Sequence, residues 1–311
     1  MSDTPPGPLQ WQPLAVEASH RRFYRVRGTG ASHVVMASPP DLENNDQFVT
    51  LARLFAAHGI GVPRLLAEDA GRGFFLMTDL GDVHFADVYA RRGPDAVLPA
   101  ALATLHRLQA IDDPAIPPYS RQRFADELDI YVTWCLGALL GEPAPDALAE
   151  AFEHLLAATD AQPRCCVHRD FHARNLLLRD DGTAGVVDFQ DALRGPATYD
   201  LASLLRDCYY QLPEDAVAHW RDVYLQQTPL PVDRARFAAD LDLVALQRQL
   251  KAVGIFARLY LRDGRDSHLC HIVPVLERIS TLAAAYPELR SLAEHTAAVL
   301  PSARARLEAL A

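Results

Sequence analysis

Residues 166–190 interrupt a chain that otherwise divides into a strand-rich opening and a long helical remainder, and they constrain its fold more than any other stretch. A short apolar run, Cys166 and Val167, leads into a polar loop containing His168, Arg169, Asp170, His172, Arg174 and Asn175. A second segment, 175–179, is joined to a third, 183–187, through Asp180, Asp181 and Gly182, and the apolar end of the third, Val186 and Val187, leads into Asp188, Phe189 and Gln190. An Asp-Gly pair between apolar runs is a hairpin signal. It predicts two short paired strands that bring Asn175 and Asp188 to neighbouring ends, with Asp170 in a tight loop just before them.

The flanking sequence sets the architecture around this hairpin. Residues 9–16, 22–27 and 33–37 carry aromatic and β-branched residues and predict an antiparallel meander with a turn at Gly28 to Gly30. Phe48, Leu51, Ala52 and Phe55 fall at helical spacing between Asn44 and Gly59, and a strand pair follows at 64–68 and 74–78. Asp79, Leu80 and Gly81 then read as a hinge. From Asp82 the pattern is helical through 97–110, 121–140 and 147–159, and after the central motif it resumes at 198–209, 214–226, 232–262 and two helices split near Pro287. The fold class is therefore α+β, with a small β-rich lobe at 1–81 and a larger α-helical lobe at 82–311. The proline-rich opening, with Pro5, Pro6 and Pro8, is expected to be disordered.

Composition removes several function classes. The 311 residues include 40 acidic and 30 basic ones, a balance that repels nucleic acid and anionic lipid, so neither is an expected partner. No basic and apolar leader opens the chain, and no uncharged apolar run nears the roughly 18 residues of a membrane span, which predicts a cytoplasmic protein. A monomer is expected, although no sequence feature fixes the oligomeric state. The five cysteines include no C-x-x-C pair and fit buried thiols better than disulfides or zinc.

The chemistry lies in the order of Asp170, Asn175 and Asp188. Phosphoryl transfer needs one carboxylate to accept the proton or hydrogen bond of an attacking hydroxyl, and hard oxygens to hold magnesium on ATP. Asp170 is the candidate base, and Asn175 and Asp188 are the candidate metal ligands. Aspartate in a loop is more often a turn or cap residue, and a lone His-x-Asp would be read that way. Here the His-Arg-Asp triplet, the asparagine offset, the hairpin and the apolar strand end all occur in sequence, which favours the catalytic reading.

With these features the chain resembles the aminoglycoside phosphotransferase and choline kinase-like superfamily, relatives of protein kinases, over nearly its whole length. Residues 34–40, 79–81, 195–207 and 250–263 further resemble the bacterial anomeric kinases of N-acetylmuramate and N-acetylglucosamine. The resemblance implies a bilobal protein-kinase-like fold. It also implies transfer from ATP, with Mg2+, to the C1 hydroxyl of an amino sugar recovered from peptidoglycan. An aminoglycoside kinase on the same fold, or a catalytically inactive nucleotide-binding relative, are the alternatives.

The chain departs from the kinase template in its first lobe. The third strand carries Met36 where a kinase has the lysine that pairs with phosphates, and the only lysine of the chain is Lys251, far downstream. A glycine-rich phosphate loop is absent as well. Ser19, Arg21 and Arg25 are the candidate phosphate contacts, with Arg22 as a further nearby cation, and Asp79 and Leu80 are the expected nucleotide contacts at the hinge. The bland alternative leaves Arg21 and Arg25 facing solvent. Glu43 either pairs with one of these arginines or favours the positive end of its helix, the second being preferred. For the acceptor, His172 and Asp191 are candidate sugar contacts. Lys251 and Arg258, on one helix face with Gly254 between them, are candidates for the lactyl carboxylate of muramate. A solvated charged face is the alternative there, and the resemblance implies that Asp200 braces the catalytic loop, with a plain N-cap as the alternative.

Overall fold

A computed structural model describes residues 9–14, 19–28 and 30–310. The expected disorder of the first eight residues and the turn at Glu17 and Ala18 lie outside the described residues. The chain forms two compact units: the residues up to Ile116 together with Asp170–Ala192, and Pro117–Arg169 together with Leu193–Ala311.

The first unit is built on a five-stranded antiparallel sheet of β1 (Gln10–Leu14), β2 (Arg22–Arg27), β3 (His33–Ala37), β4 (Leu65–Asp69) and β5 (Phe74–Thr78), in the order β1-β2-β3-β5-β4. Register is regular across the centre, with Met36 opposite Phe23 on β2 and Phe75 on β5. Helix α1 (Asn45–Ala57) begins where the Asn44 side chain accepts the Gln47 amide, which satisfies one of the unpaired N–H groups of the first turn. Its buried face carries Phe48, Leu51, Ala52 and Phe55, the residues whose spacing predicted it. Gly73, at φ 72°, sits where a Cβ would meet the Ser38 carbonyl oxygen at 2.0 Å, so only glycine permits the close approach that lets Ser38 donate its amide to Gly73 O.

Helices α2 (Phe85–Arg92) and α3 (Leu98–Gln109) also belong to this unit, as does the hairpin of β7 (Leu176–Leu178) and β8 (Ala184–Val186). Hydrogen bonds explain the grouping. Val186 donates to Gly61 O, Leu178 to Val83 O, and Ala86 of α2 to Ala173 O. The first of these bonds joins Gly61, ahead of Gly81, to the hairpin beyond it, and α2, α3 and the hairpin group with the sheet.

The second unit holds α4 (Arg121–Ile130), α5 (Ala147–Asp160), α6 (Tyr199–Leu205), α7 (Glu214–Gln227), α8 (Phe237–Asp263), α9 (Ile272–Ala283) and α10 (Arg290–Glu308). It also holds the short strands β6 (Arg164–Val167) and β9 (Leu193–Pro196). The helix expected over 121–140 changes at Tyr131 to a π-helix, Tyr131–Leu140. Gly254 of α8 lies against this junction: a Cβ there would fall 2.6 Å from the Ile130 carbonyl and from the Tyr131 nitrogen. Two backbones meet at that point. The central motif contributes four short strands where two were expected, because β6 and β9 pair with each other on either side of the β7–β8 hairpin. No described helix is long and apolar enough to cross a membrane. The described cysteines are free, and burial pushes the thiols of Cys165 and Cys166 up, as expected for inert core thiols.

Candidate active site

The catalytic loop and hairpin form as one hydrogen-bonded piece of the first unit. The carbonyl of Asp170 accepts the His172 amide at 3.0 Å and the Asn175 Nδ2 at 3.0 Å, and the Asn175 amide returns to His172 O at 2.9 Å. Val187 donates to Asn175 O at 3.1 Å, extending the β7–β8 register in which Leu176 faces Val186. Asn175 and Asp188 are thereby held at neighbouring ends of the hairpin, as the Asp-Gly signal predicted. His84, at the start of α2, contacts the Arg174 carbonyl through Nδ1 at 2.7 Å and clamps the loop from outside. Sequence reasoning missed His84, since a lone histidine before a helix carries no catalytic signal.

The ends of the hairpin offer hard oxygens. With its Nδ2 committed to Asp170, Asn175 has its amide oxygen left to ligate. Asp188 is exposed, adopts a left-handed φ of 64°, and accepts Gln190 Nε2 on Oδ1 at 2.8 Å. A non-glycine residue in that region is uncommon and is held there by its surroundings. The surroundings are aromatic: the next residue, Phe189, is buried, stacks on Phe48 at 5.4 Å and meets Phe55 at 5.8 Å. One carboxylate and one amide oxygen fit magnesium, which takes few protein ligands and fills its octahedron with water and phosphate oxygens. Asp191 is exposed and His172 half-buried, both in the same segment.

In the first lobe Met36 is fully buried in the sheet. Arg21 and Arg25 are buried too, which corrects the reading that they face solvent. Arg21 Nη2 pairs with Glu43 Oε2 at 3.3 Å, its Nε donates to Ser38 Oγ at 3.2 Å, and its guanidinium lies over Phe48. Ser19 Oγ donates to Glu43 Oε1 at 3.0 Å, and the His20 amide reaches the same oxygen at 3.1 Å. Glu43 therefore pairs with an arginine, where the sequence had preferred a helix-end role. Buried Asn45 accepts Ser38 Oγ and donates to Ser38 O, which ties the cluster to α1.

Arg25 is committed elsewhere. Its Nε and Nη2 hold both carboxylate oxygens of Asp79 at 2.6 and 3.0 Å, Nη2 also reaches Gly81 O at 2.6 Å, and Nη1 reaches Asp82 at 3.4 Å. Asp79 further accepts Ser32 Oγ and the Gly81 amide. Burial pushes the Asp79 carboxyl up, yet its bonds to Arg25, Ser32 and Gly81 outweigh that and hold it below the ordinary value. Leu80 packs over Gly185 of β8, its Cδ1 lying 3.2 Å from where a Cβ on that glycine would stand.

The second unit holds the residues that precede the base. Buried Asp200 accepts the His168 amide at 2.6 Å and the Arg169 amide at 2.9 Å, as a brace of the loop would. Lys251 Nζ lies 3.0 Å from Glu127 Oε1, which also takes Arg169 Nη2 at 2.7 Å. Glu127 had no sequence signal, being one of several acids on α4. Gly254 is filled by the backbone at Ile130 and Tyr131, so the anion space expected between Lys251 and Arg258 does not exist at that residue. Arg258 is half-buried with its Nε unbonded; burial, then the neighbouring Arg262, pull its guanidinium below the usual range.

Comparison with known proteins shows the family and the fold. The model of the phosphotransferase enzyme family matches residues 10–239. An N-acetylmuramate/N-acetylglucosamine kinase of Pseudomonas aeruginosa is 36% identical over 308 residues, covering 96% of this chain and 91% of that protein. The kinase of the same name from Pseudomonas putida is 34% identical, covering 93% of this chain and 88% of that protein. Among solved structures, a thermostable mutant of aminoglycoside phosphotransferase APH(4)-Ia, in a ternary complex with ADP and hygromycin B, superposes with a TM-score of 0.64. It is 16% identical and covers 89% of this chain and 94% of that one.

Proposed function

The chain belongs to the phosphotransferase enzyme family, and we propose that it is an ATP-dependent kinase of the anomeric hydroxyl of N-acetylmuramate and N-acetylglucosamine. The observation that carries the proposal is the 36% identity across 96% of the chain to a kinase of that name. The hydrogen-bonded set of Asp170, Asn175 and Asp188 supports it, because it supplies the parts that phosphoryl transfer needs. A supply of ATP favours a cytoplasmic site of action.

In this reading the Asp170 carboxylate orients the C1 hydroxyl and accepts its proton as the sugar oxygen bonds to the γ-phosphorus and the bond to ADP breaks. An anomeric hydroxyl is more acidic than an ordinary alcohol, so a carboxylate suffices as base, and positioning does much of the work. Asn175 and Asp188 would hold Mg2+, which when bound neutralises charge on the phosphate oxygens. Arg21, held by Glu43 just before β2, takes the place of the missing strand lysine as the cation nearest the phosphates, with Ser19 beside it. Arg25 and Asp79 brace the segment that carries Leu80 toward the nucleotide base. His172 and Asp191 are the proposed sugar contacts.

The test is direct. The purified protein is incubated with ATP and Mg2+ against N-acetylmuramate, N-acetylglucosamine and a panel of aminoglycosides, and the new phosphate is located by 31P NMR. The expected product is a sugar 1-phosphate. Turnover on an aminoglycoside with none on either amino sugar would reject the proposal.

A further inference from the structure

We infer that Glu127 and Lys251 are positioning residues that fix the catalytic loop through Arg169, and that the single lysine of the chain serves this network and not the substrate. The inference rests on reading the chain as a kinase with Asp170 as base. It starts from the number of groups spent on one residue. Arg169, peptide-bonded to Asp170, has a left-handed φ of 79°, a conformation that needs outside support in a side chain of this size. The structure supplies support at its amide, its carbonyl and the Nη2 end of its guanidinium. Its amide goes to Asp200, and its carbonyl takes Arg248 Nη2 at 3.0 Å. Its guanidinium goes to Glu127 and lies over the Tyr119 ring at 5.2 Å.

Glu127 is the joint of this arrangement. Its Oε1 takes Arg169 Nη2 and Lys251 Nζ, and its Oε2 takes the Tyr119 hydroxyl and Gln247 Nε2. Four donors on one buried carboxylate connect α4, α8, the turn before α4 and the strand-end loop after β6. Burial pushes the Glu127 carboxyl up, but Lys251, Arg169 and Tyr119 together overcome it and keep the group ionised. Lys251 matters because Oε1 would otherwise rest on Arg169 alone, and a buried carboxylate with one cation fewer would be free to draw Arg169 out of place.

The same geometry argues against a substrate role for Lys251. Its side chain is 12% exposed and its ammonium already sits 3.0 Å from Glu127. Binding a muramate carboxylate would require leaving a buried partner. Arg248 fits the positioning scheme as well, since its guanidinium lies over Tyr199 at 4.9 Å, one residue before Asp200, while it holds Arg169 O.

The experiment compares Lys251→Met and Lys251→Arg with the wild-type protein by steady-state kinetics on both amino sugars, after thermal melts establish folding. Lys251→Met is expected to lower kcat about 10²-fold on both sugars, the scale of a roughly 1 Å misplacement, while each KM stays within about threefold. Lys251→Arg keeps a cation beside Glu127 and is expected to recover most of kcat. Amide hydrogen exchange at His168 and Arg169 should quicken in Lys251→Met and not in Lys251→Arg. A rise in KM confined to N-acetylmuramate, or an unchanged kcat in Lys251→Met, overturns the inference. Should Lys251→Met not fold, Lys251→Gln carries the comparison with the same outcomes. The ratio of variant to wild-type kcat is read on whichever acceptor the wild type phosphorylates, so a wrong sugar would sink the proposed substrate without touching this test.

Discussion

Replacing Arg25 with alanine separates a structural arginine from a phosphate-binding one. The Arg25 and Asp79 side chains are 5% and 8% exposed, and the guanidinium makes two short bonds to the carboxylate and a third to Gly81 O. Arg25→Ala leaves that carboxylate with Ser32 Oγ and the Gly81 amide alone, in a site with little solvent exposure. Removing one partner of a buried ion pair costs about 3–5 kcal/mol, since the remaining charge stays buried. That is a large share of a typical total of about 5–15 kcal/mol. Urea unfolding followed by circular dichroism at pH 7 should show the loss. The pH dependence is a second signature. In the wild type the Asp79 carboxyl is held below its ordinary value of 3.8, so its contribution is present above that pH and is lost as pH falls through the lowered folded value. In Arg25→Ala the largest influence lowering the carboxyl is gone, so its folded value rises and it takes up a proton more readily, which relieves the stranded charge. The difference between the two proteins should therefore be largest at neutral pH and shrink below about pH 4. A deficit under about 1 kcal/mol at pH 7, or one that does not change with pH, would refute the reasoning and return Arg25 to the list of phosphate ligands.

Asp170→Asn is expected to lower kcat by about 10²–10⁴-fold while nucleotide affinity by calorimetry stays within about threefold; an active variant removes Asp170 as base. Asp188→Asn should raise the Mg2+ concentration for half-maximal activity by about tenfold or more, and an unchanged magnesium titration would assign the ion to other groups. Gly254→Ala puts a methyl 2.6 Å from the backbone at Ile130 and Tyr131, atoms that cannot swing away. Overpacking of about 1–3 kcal/mol should exceed the roughly 1 kcal/mol of helix propensity that alanine gains, so the melting temperature falls; a rise would show that the two helices have room.

The geometry of the candidate catalytic segment was legible because its signal is local. The hairpin turn, the apolar runs and the offsets of Asp170, Asn175 and Asp188 all lie within one continuous stretch, and the β7–β8 register turns that order into geometry. Helix α1 was equally legible, since its apolar face repeats at 3.6 residues and its cap is the residue before it. The partners of the arginines were not, because charge pairing across a fold leaves no periodicity. Arg25 meets Asp79 across 54 positions and Glu127 meets Lys251 across 124, and nothing in either local sequence selects one acid over its neighbours. Gly254 shows the same limit from another side. A small residue between two cations is compatible with an anion or with a neighbouring backbone, and only the packing of α8 decides for the backbone.

In the proposed function, the two buried arginines of the first lobe divide between them the roles of structural brace and phosphate-binding cation. A phosphate-binding cation must be held in place yet retain donors for its ligand. Arg25 fails the second condition, because Nε, Nη1 and Nη2 all face Asp79, Asp82 or Gly81 O. Arg21 meets both: Nε and Nη2 are anchored on Ser38 and Glu43, and the fork geometry of a guanidinium leaves Nη1 directed away from those anchors. A lysine anchored by Glu43 would have only one nitrogen to divide between acid and phosphate, whereas an arginine divides the two tasks between its nitrogens. The Ser38 and Asn45 pair that fixes Nε is in turn seated by the Gly73 contact, so the cation just before β2 depends on a glycine 52 positions downstream of Arg21.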